Sequence, residues 1–168
     1  MKVEINKGNI RFGPDETTIP GIRTNLFEKD NQVMRSVTFS YAQKATQDFA
    51  AIFNGNKVFD NPKSFLDIER LILYLTEPGD LVIDFFAGSN TTLHSVLRVN
   101  QRGEGSRQAI CIQLPELIDT NTESGRNALS FGFQTIADIA RKRIHLAIEK
   151  IKTEADFANP VPKDLGIK

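Results

Sequence analysis

The chain of 168 residues has one cysteine, Cys111, and no tryptophan. A lone thiol cannot close an internal disulfide, and with two well-separated histidines, His94 and His145, it gives no ligand set for a structural zinc site. Net charge is missing too: Lys plus Arg is 21 and Asp plus Glu is 21, so no global positive field draws the chain to nucleic acid. Any DNA contact must then come from a local patch or from another chain. No apolar run approaches the roughly 18 residues of a membrane span, and MKVEINKGNI lacks the apolar core of a signal peptide. A reducing cytoplasm is the expected setting. There is no internal repeat and no low-complexity tract. What is present is globular composition, 40% hydrophobic and 25% charged, in a chain long enough for one real core.

Turn signals such as Gly13-Pro14-Asp15 and Pro20-Gly21, without helical period, make residues 1–41 read as an irregular, partly extended arm. Regular elements fill residues 42–152. Ala45, Phe49, Ile52 and Phe53 fall at helical spacing over Ala42 to Phe53, and Asn54-Gly55 supplies a stop. A second helix is predicted from Ser64 to Leu75, with Ser64 as N-cap, Asp67 as its partner, and Phe65, Ile68, Leu71, Ile72 and Leu75 on one stripe. Leu81 to Phe86 reads as a strand buried on both faces, the pattern of a parallel sheet. A helix from about Thr91 to Val99 and a second buried strand, Ala109 to Leu114, complete one βαβ unit. After a loop from Glu116 to about Arg126, Thr135 and Asp138 look like a capping box for a long helix with Ile136, Ile139, Ala140, Ile144, Ala147 and Ile151 on its inner face. Arg141, Lys142, Arg143 and Lys150 are assigned to its exposed face. Residues 153–168, with Pro160 and Pro162, read as an extended or disordered tail.

The sharpest feature is DLVIDFFAGSNTT, Asp80 to Thr92: an apolar strand, an acid near its end, a small-residue turn and a helix start. In an open α/β sheet this is the carboxyl end of a strand, where ligands bind and where backbone N–H groups favour negative charge. Gly88 permits close backbone approach. The segment is no phosphate loop, since no Gly-Lys-Ser/Thr follows, and it keeps one of the three glycines of a dinucleotide fingerprint. By itself it could equally be an ordinary strand-to-helix turn. Asp84 argues for more, because a carboxylate ending a strand of Leu, Val, Ile and Phe must be paired or hydrogen-bonded.

DFFAGSNTT, preceded by NPKSFLDIERLILYLTEPGD and followed by AICIQLPE, resembles the cofactor-binding segment of adenine-specific DNA methyltransferases of the β order, in particular the modification (Mod) subunit of type III restriction-modification systems. The similarity runs from about Ile10 through the helix that holds Arg141. The three blocks together are specific where any one would be weak. The resemblance implies an α/β, Rossmann-like S-adenosylmethionine (SAM)-dependent methyltransferase fold, with a partial parallel sheet and flanking helices over residues 42–152. It also implies SAM as cofactor, with Asp84, Phe86, Ala87, Gly88, Ser89 and Thr91 around the methionine moiety. Asn61-Pro62-Lys63-Ser64 resembles the neighbouring motif at the cofactor's amino-acid end, with Lys63 as the cation; Lys63 also reads as a solvated lysine before a helix.

Two positions depart from the family. Gly usually stands where Asn90 does, and Asn tolerates left-handed backbone better than most residues, so Asn90 stays within the cofactor set. Many SAM enzymes carry a ribose-binding acid at the tip of the second strand; here Gln113 stands near that place and Glu116 follows three residues later, and either could take the ribose hydroxyls. The family's catalytic tetrapeptide, Asp-Pro-Pro-Tyr, is not in the chain, so no catalytic residue and no metal site is assigned. The chain therefore reads as the C-terminal, SAM-binding portion of a longer enzyme, whose partners would be DNA and a restriction subunit, a homodimer remaining open. Alternatives are a non-catalytic assembly fragment or another nucleotide-binding Rossmann enzyme. His94 reads as a packed or surface residue, Cys111 as a small core residue, and Arg141-Lys142-Arg143 as a solvated face or a phosphate contact.

Overall fold

The computed structural model describes Ile10, Arg11, Asp15, Thr17, Gly21, Ile22, residues 42–103 and residues 105–154. Most of the predicted arm and nearly all of the predicted tail lie outside the described residues. The chain divides into two units, Met1–Thr38 and Phe39–Lys168. In the first, β1 (Ile10–Arg11) pairs antiparallel with β2 (Gly21–Ile22). There the Asp15 carboxylate accepts from both the backbone N–H and the hydroxyl of Thr17.

The second unit runs α1 (Ala42–Ile52), α2 (Phe65–Leu75), β3 (Leu81–Asp84), α3 (Thr91–Gln101), β4 (Gln108–Cys111), α4 (Glu123–Ser130) and α5 (Ile136–Glu154). Helix α1 ends where Asn54 and Gly55 both turn left-handed, at φ 55° and 87°. Ser64 caps α2 by accepting the Asp67 N–H at 3.3 Å, worth about 1 kcal/mol. The Thr135–Asp138 box at α5 is reciprocal: Thr135 Oγ1 accepts the Asp138 N–H at 3.2 Å, and Asp138 Oδ2 accepts the Thr135 N–H at 2.9 Å.

Strands β3 and β4 pair in parallel, with Leu81 opposite Gln108, Val82 opposite Ala109, Ile83 opposite Ile110 and Asp84 opposite Cys111. Parallel neighbours point the same way, so Val82 and Ala109 share one face, where they pack against Ile68, Ile72, Val96 and Val99. On the other face Leu81, Ile83 and Ile110 are each nearly half exposed. The expectation of strands buried on both faces is thereby corrected: α2 and α3 lie against one face, and no described element covers the other. Leu71 and Leu75 of the α2 stripe are also open to solvent, so Ile68 and Ile72 carry its packing. Both strands end earlier than predicted, Phe85 and Phe86 being a turn.

Helix α3 is held from two sides. Glu69 of α2, almost fully buried, pairs with Arg98 of α3 and with Arg102, the residue that follows α3, the latter at 3.0 Å. From the other side Leu93 and Leu97 pack against Ile144, Ile148 and Ile151 of α5. A separate apolar cluster of Phe49, Phe53, Val58, Ala128 and Ile139 joins α1, α4 and α5. Helix α4 falls partly inside the predicted loop. Its eight residues include Gly125, a poor helix former, and the reason for that glycine is steric: a Cβ there would lie 1.8 Å from the Asp119 carbonyl oxygen.

Candidate functional site

The loop from Phe85 to Asn90 leaves the carboxyl end of β3 and enters α3 without slack. Two backbone bonds, Ile112 N–H to Asp84 O at 2.8 Å and Ala87 N–H to Ile112 O at 3.1 Å, tie its first half to the chain beyond β4. Asn90 N–H donates back to Ala87 O at 2.7 Å, closing a tight turn. Gly88 (φ 52°) and Asn90 (φ 64°) are left-handed, as expected for a glycine and for an asparagine in a glycine's place. Asn90 is the N-cap residue of α3 but makes no side-chain cap, and its Oδ1 is buried without a hydrogen-bond partner.

Asp84 braces both ends of this loop. Its Oδ1 accepts the Phe86 N–H at 3.1 Å and its Oδ2 accepts the Thr92 hydroxyl at 2.6 Å, which meets the requirement that this carboxylate be hydrogen-bonded. Gln113 reaches over from the β4 side, its Oε1 accepting the Gly88 N–H at 2.7 Å. Asp84, Ala87, Gly88, Ser89, Asn90, Thr91 and Gln113 therefore come together. Phe86 belongs to the loop, but its ring stands out into solvent, 90% exposed. Glu116 is exposed, and the bonds it makes are backbone bonds to Leu114 and Ile136, none to the loop. Lys63 is exposed and forms no ion pair among the described residues. Its segment does flank the site: Phe59 Cζ lies 4.0 Å from where a Gly88 Cβ would sit, and the Phe65 carbonyl accepts from Ser95 Oγ at 3.0 Å.

One residue of this neighbourhood lies where the sequence pattern does not place it. Arg143, assigned to the exposed face of α5, is 1% exposed. Its Nη1 donates to the Ser89 carbonyl (3.1 Å), Ser89 Oγ (2.9 Å) and Thr91 Oγ1 (2.7 Å), and its Nε to His94 Nδ1 (3.3 Å). Its guanidinium also stands over the Phe49 ring at 5.1 Å. The signal was in the spacing. Arg143 sits three residues after Ala140 and four before Ala147, inside the buried stripe, while Arg141 and Lys142 face solvent.

His94 is a packed residue. Burial, and then the Arg143 charge, hold its pKa well below 6.5, so the ring is neutral. Since Arg has no acceptor, Nδ1 must offer its lone pair and the proton sits on Nε2. Burial, with the Asp84 charge, pushes the Cys111 thiol up to about 11, which leaves it a half-buried thiol and no nucleophile. Among the described residues no group of His, Cys, Asp and Glu could hold a metal ion, and no helix is long and apolar enough to cross a membrane. The arrangement offers a carboxylate and a left-handed loop at the end of a parallel strand, backed by a buried cation.

The EcoP15I Mod subunit of a type III restriction-modification enzyme from Escherichia coli is 32% identical over 148 residues, which cover 87% of this chain and 22% of that protein. The EcoPI Mod subunit of Escherichia phage P1 is 39% identical over 62% of this chain and 16% of its own length. The type II methyltransferase M.KpnI of Klebsiella pneumoniae is 36% identical over 62% of this chain and 24% of its own length. The matched segment thus spans less than a quarter of each of these relatives. The model of the DNA methylase family matches residues 18–156, most of the chain, and the chain belongs to that family of N6/N4 DNA methyltransferases.

Proposed function

We propose that this chain is the SAM-binding portion of a DNA adenine-N6 methyltransferase of a type III restriction-modification system. The observation that carries the reading is the bracing of one loop by Asp84 and Gln113 at the carboxyl end of a parallel strand, in a chain of this family. The β3-α3-β4 unit supports a Rossmann-like fold centred on residues 42–152, with 1–41 as an arm and 153–168 as a tail. The space over Gly88, where among the described residues the tip of Phe59 comes within 4.0 Å of where a Cβ would sit, fits a ligand laid on the loop.

Asp84 would hold the ammonium end of SAM, and Lys63 and the loop N–H groups its carboxylate. Phe86, Ala87, Ser89 and Thr91 would line the methionine moiety, and Gln113 the ribose. Gln113 is favoured over Glu116 because it is the one bonded to the loop. When bound, SAM supplies an electrophilic methyl group on sulfonium, and the chain's own residues bind and orient it. Holding an extruded adenine takes an aromatic platform and fixed acceptors for its amine. Those come from the Asp-Pro-Pro-Tyr block, which this chain does not contain. The bare sheet face of Leu81, Ile83 and Ile110 supports completion by another polypeptide segment, because a parallel sheet normally has both faces covered. DNA and a restriction subunit would be partners of the complete enzyme, in the cytoplasm.

The test is label transfer. With labelled SAM and mixed-sequence DNA, the chain alone should transfer no methyl group, and a separately expressed polypeptide carrying the tetrapeptide should restore transfer to adenine N6. Label on adenine with the chain alone would overturn the assignment of the base site elsewhere.

A further inference from the structure

Arg143 is almost wholly buried, and burial lowers its pKa to about 9, so it is still a cation at neutral pH, against neutral groups alone among the described residues. Its hydrogen-bond acceptors are a carbonyl, two hydroxyls and a neutral imidazole, and among the described residues no carboxylate pairs with it. Such a placement is costly: a buried charge without a counter-ion loses hydration that dipoles return in part. A structural role alone is met more cheaply by a neutral side chain, because apolar groups of similar volume carry no desolvation penalty, and Leu93 and Leu97 already join α3 to α5 through apolar contacts. Three of the acceptors belong to Ser89 and Thr91, on either side of the left-handed Asn90, so the charge lies directly behind the loop. A cation in that place raises the potential over the loop's N–H groups and over the start of α3, where the helix dipole has the same sign.

Resting on the SAM reading above, we propose that Arg143 is a positioning residue whose buried charge, acting through the loop it clamps, selects a ligand bearing a carboxylate at its amino-acid end. The fork and the charge have separable effects. The fork sets the loop's shape and bears on every ligand that lies there. The charge discriminates between ligands that differ in the carboxylate alone.

Decarboxylated SAM differs from SAM by that one group, which makes the pair the probe. Affinities of the full chain for both ligands are measured in wild type, Arg143→Gln and Arg143→Lys. Arg143→Gln, which keeps an amide donor and loses the charge, should cut the preference for SAM over its decarboxylated form about tenfold, the order expected of one unit charge acting across a few ångströms of partly wet protein. Arg143→Lys should weaken both ligands and keep most of the preference. An equal loss for both ligands in Arg143→Gln would overturn the proposal and leave Arg143 as packing. Should Arg143→Gln fail to fold, the wild type decides by NMR: the Arg143 Nε–H resonance should move on adding SAM and stay nearly still on adding the decarboxylated form, and equal movement would overturn it. No binding of SAM to wild type would instead overturn the cofactor reading itself.

Discussion

The backbone N–H of Gly88 donates to Gln113 Oε1 at 2.7 Å, a bond that spans 25 positions of sequence and ties the segment just beyond β4 to the loop that follows β3. On the proposed reading this bond favours Gln113 over Glu116, two residues that the sequence leaves level as ribose ligands. Gln113→Ala strips the Gly88 N–H of its acceptor and should cost about 1 kcal/mol of stability and about fivefold in SAM affinity. Glu116→Ala should change neither. Calorimetric titration and thermal melts check both, and the reverse ranking would return the ribose to Glu116.

Asn90 pairs a left-handed backbone with a buried, unpartnered Oδ1. Asn90→Gly removes the strain and the orphaned oxygen together, so SAM affinity should rise about threefold, with the melting temperature unchanged or higher. Weaker binding on the same titration would mean that Oδ1 is itself an acceptor for the ligand.

His94 makes stability depend on pH in a definite direction. Its folded pKa lies well below 6.5, the value it regains on unfolding, so below pH 6.5 the unfolded chain binds the extra proton. The contribution is complete above pH 6.5 and declines by up to about 1.4 kcal/mol per pH unit beneath it, down to the folded pKa. Asp60 and Asp138 are held below their ordinary 3.8 and act in a separate, more acidic window, so the range from 6.5 down to about 5 separates His94 from them. Denaturant unfolding across that range should show the slope, and His94→Asn, which keeps an acceptor toward Arg143, should flatten it. An unchanged slope in the variant would assign the proton elsewhere.

Gly125 is the steric key to α4. Gly125→Ala would set a methyl group 1.8 Å from the Asp119 carbonyl oxygen, an overlap that forces the helix or the preceding turn to move. A loss of about 3 kcal/mol is expected. A shift of under about 1 kcal/mol in urea unfolding would show that the turn yields freely.

Local signals were legible and non-local ones were not. The Asn54-Gly55 stop, the Ser64 cap, the Thr135–Asp138 box and the left-handed Asn90 are decided by a few neighbouring residues, and sequence patterns encode those directly. Helix α4 escaped because Gly125, which marks a close approach to Asp119, lowers helix propensity and outweighs the Thr122 cap that starts the helix. Arg143 escaped because a basic run suggests a solvated face, although its position in the 3.6-residue period put it inside. The bare sheet face could not be foreseen either. Runs such as Leu-Val-Ile-Asp-Phe-Phe state that both sides of a strand are apolar and say nothing about what covers them.

The most direct measurement is calorimetric titration of SAM into the wild-type chain and into Asp84→Ala. Asp84 braces the loop through Phe86 and Thr92 and is assigned the ammonium end of the ligand, a charge-assisted contact worth about 1.5 to 3 kcal/mol. Saturable binding at one site in wild type, weakened about tenfold or more in the variant, is the expected result. No binding heat with the wild-type chain, or equal affinity in the two proteins, would contradict the reading of this loop as a SAM site.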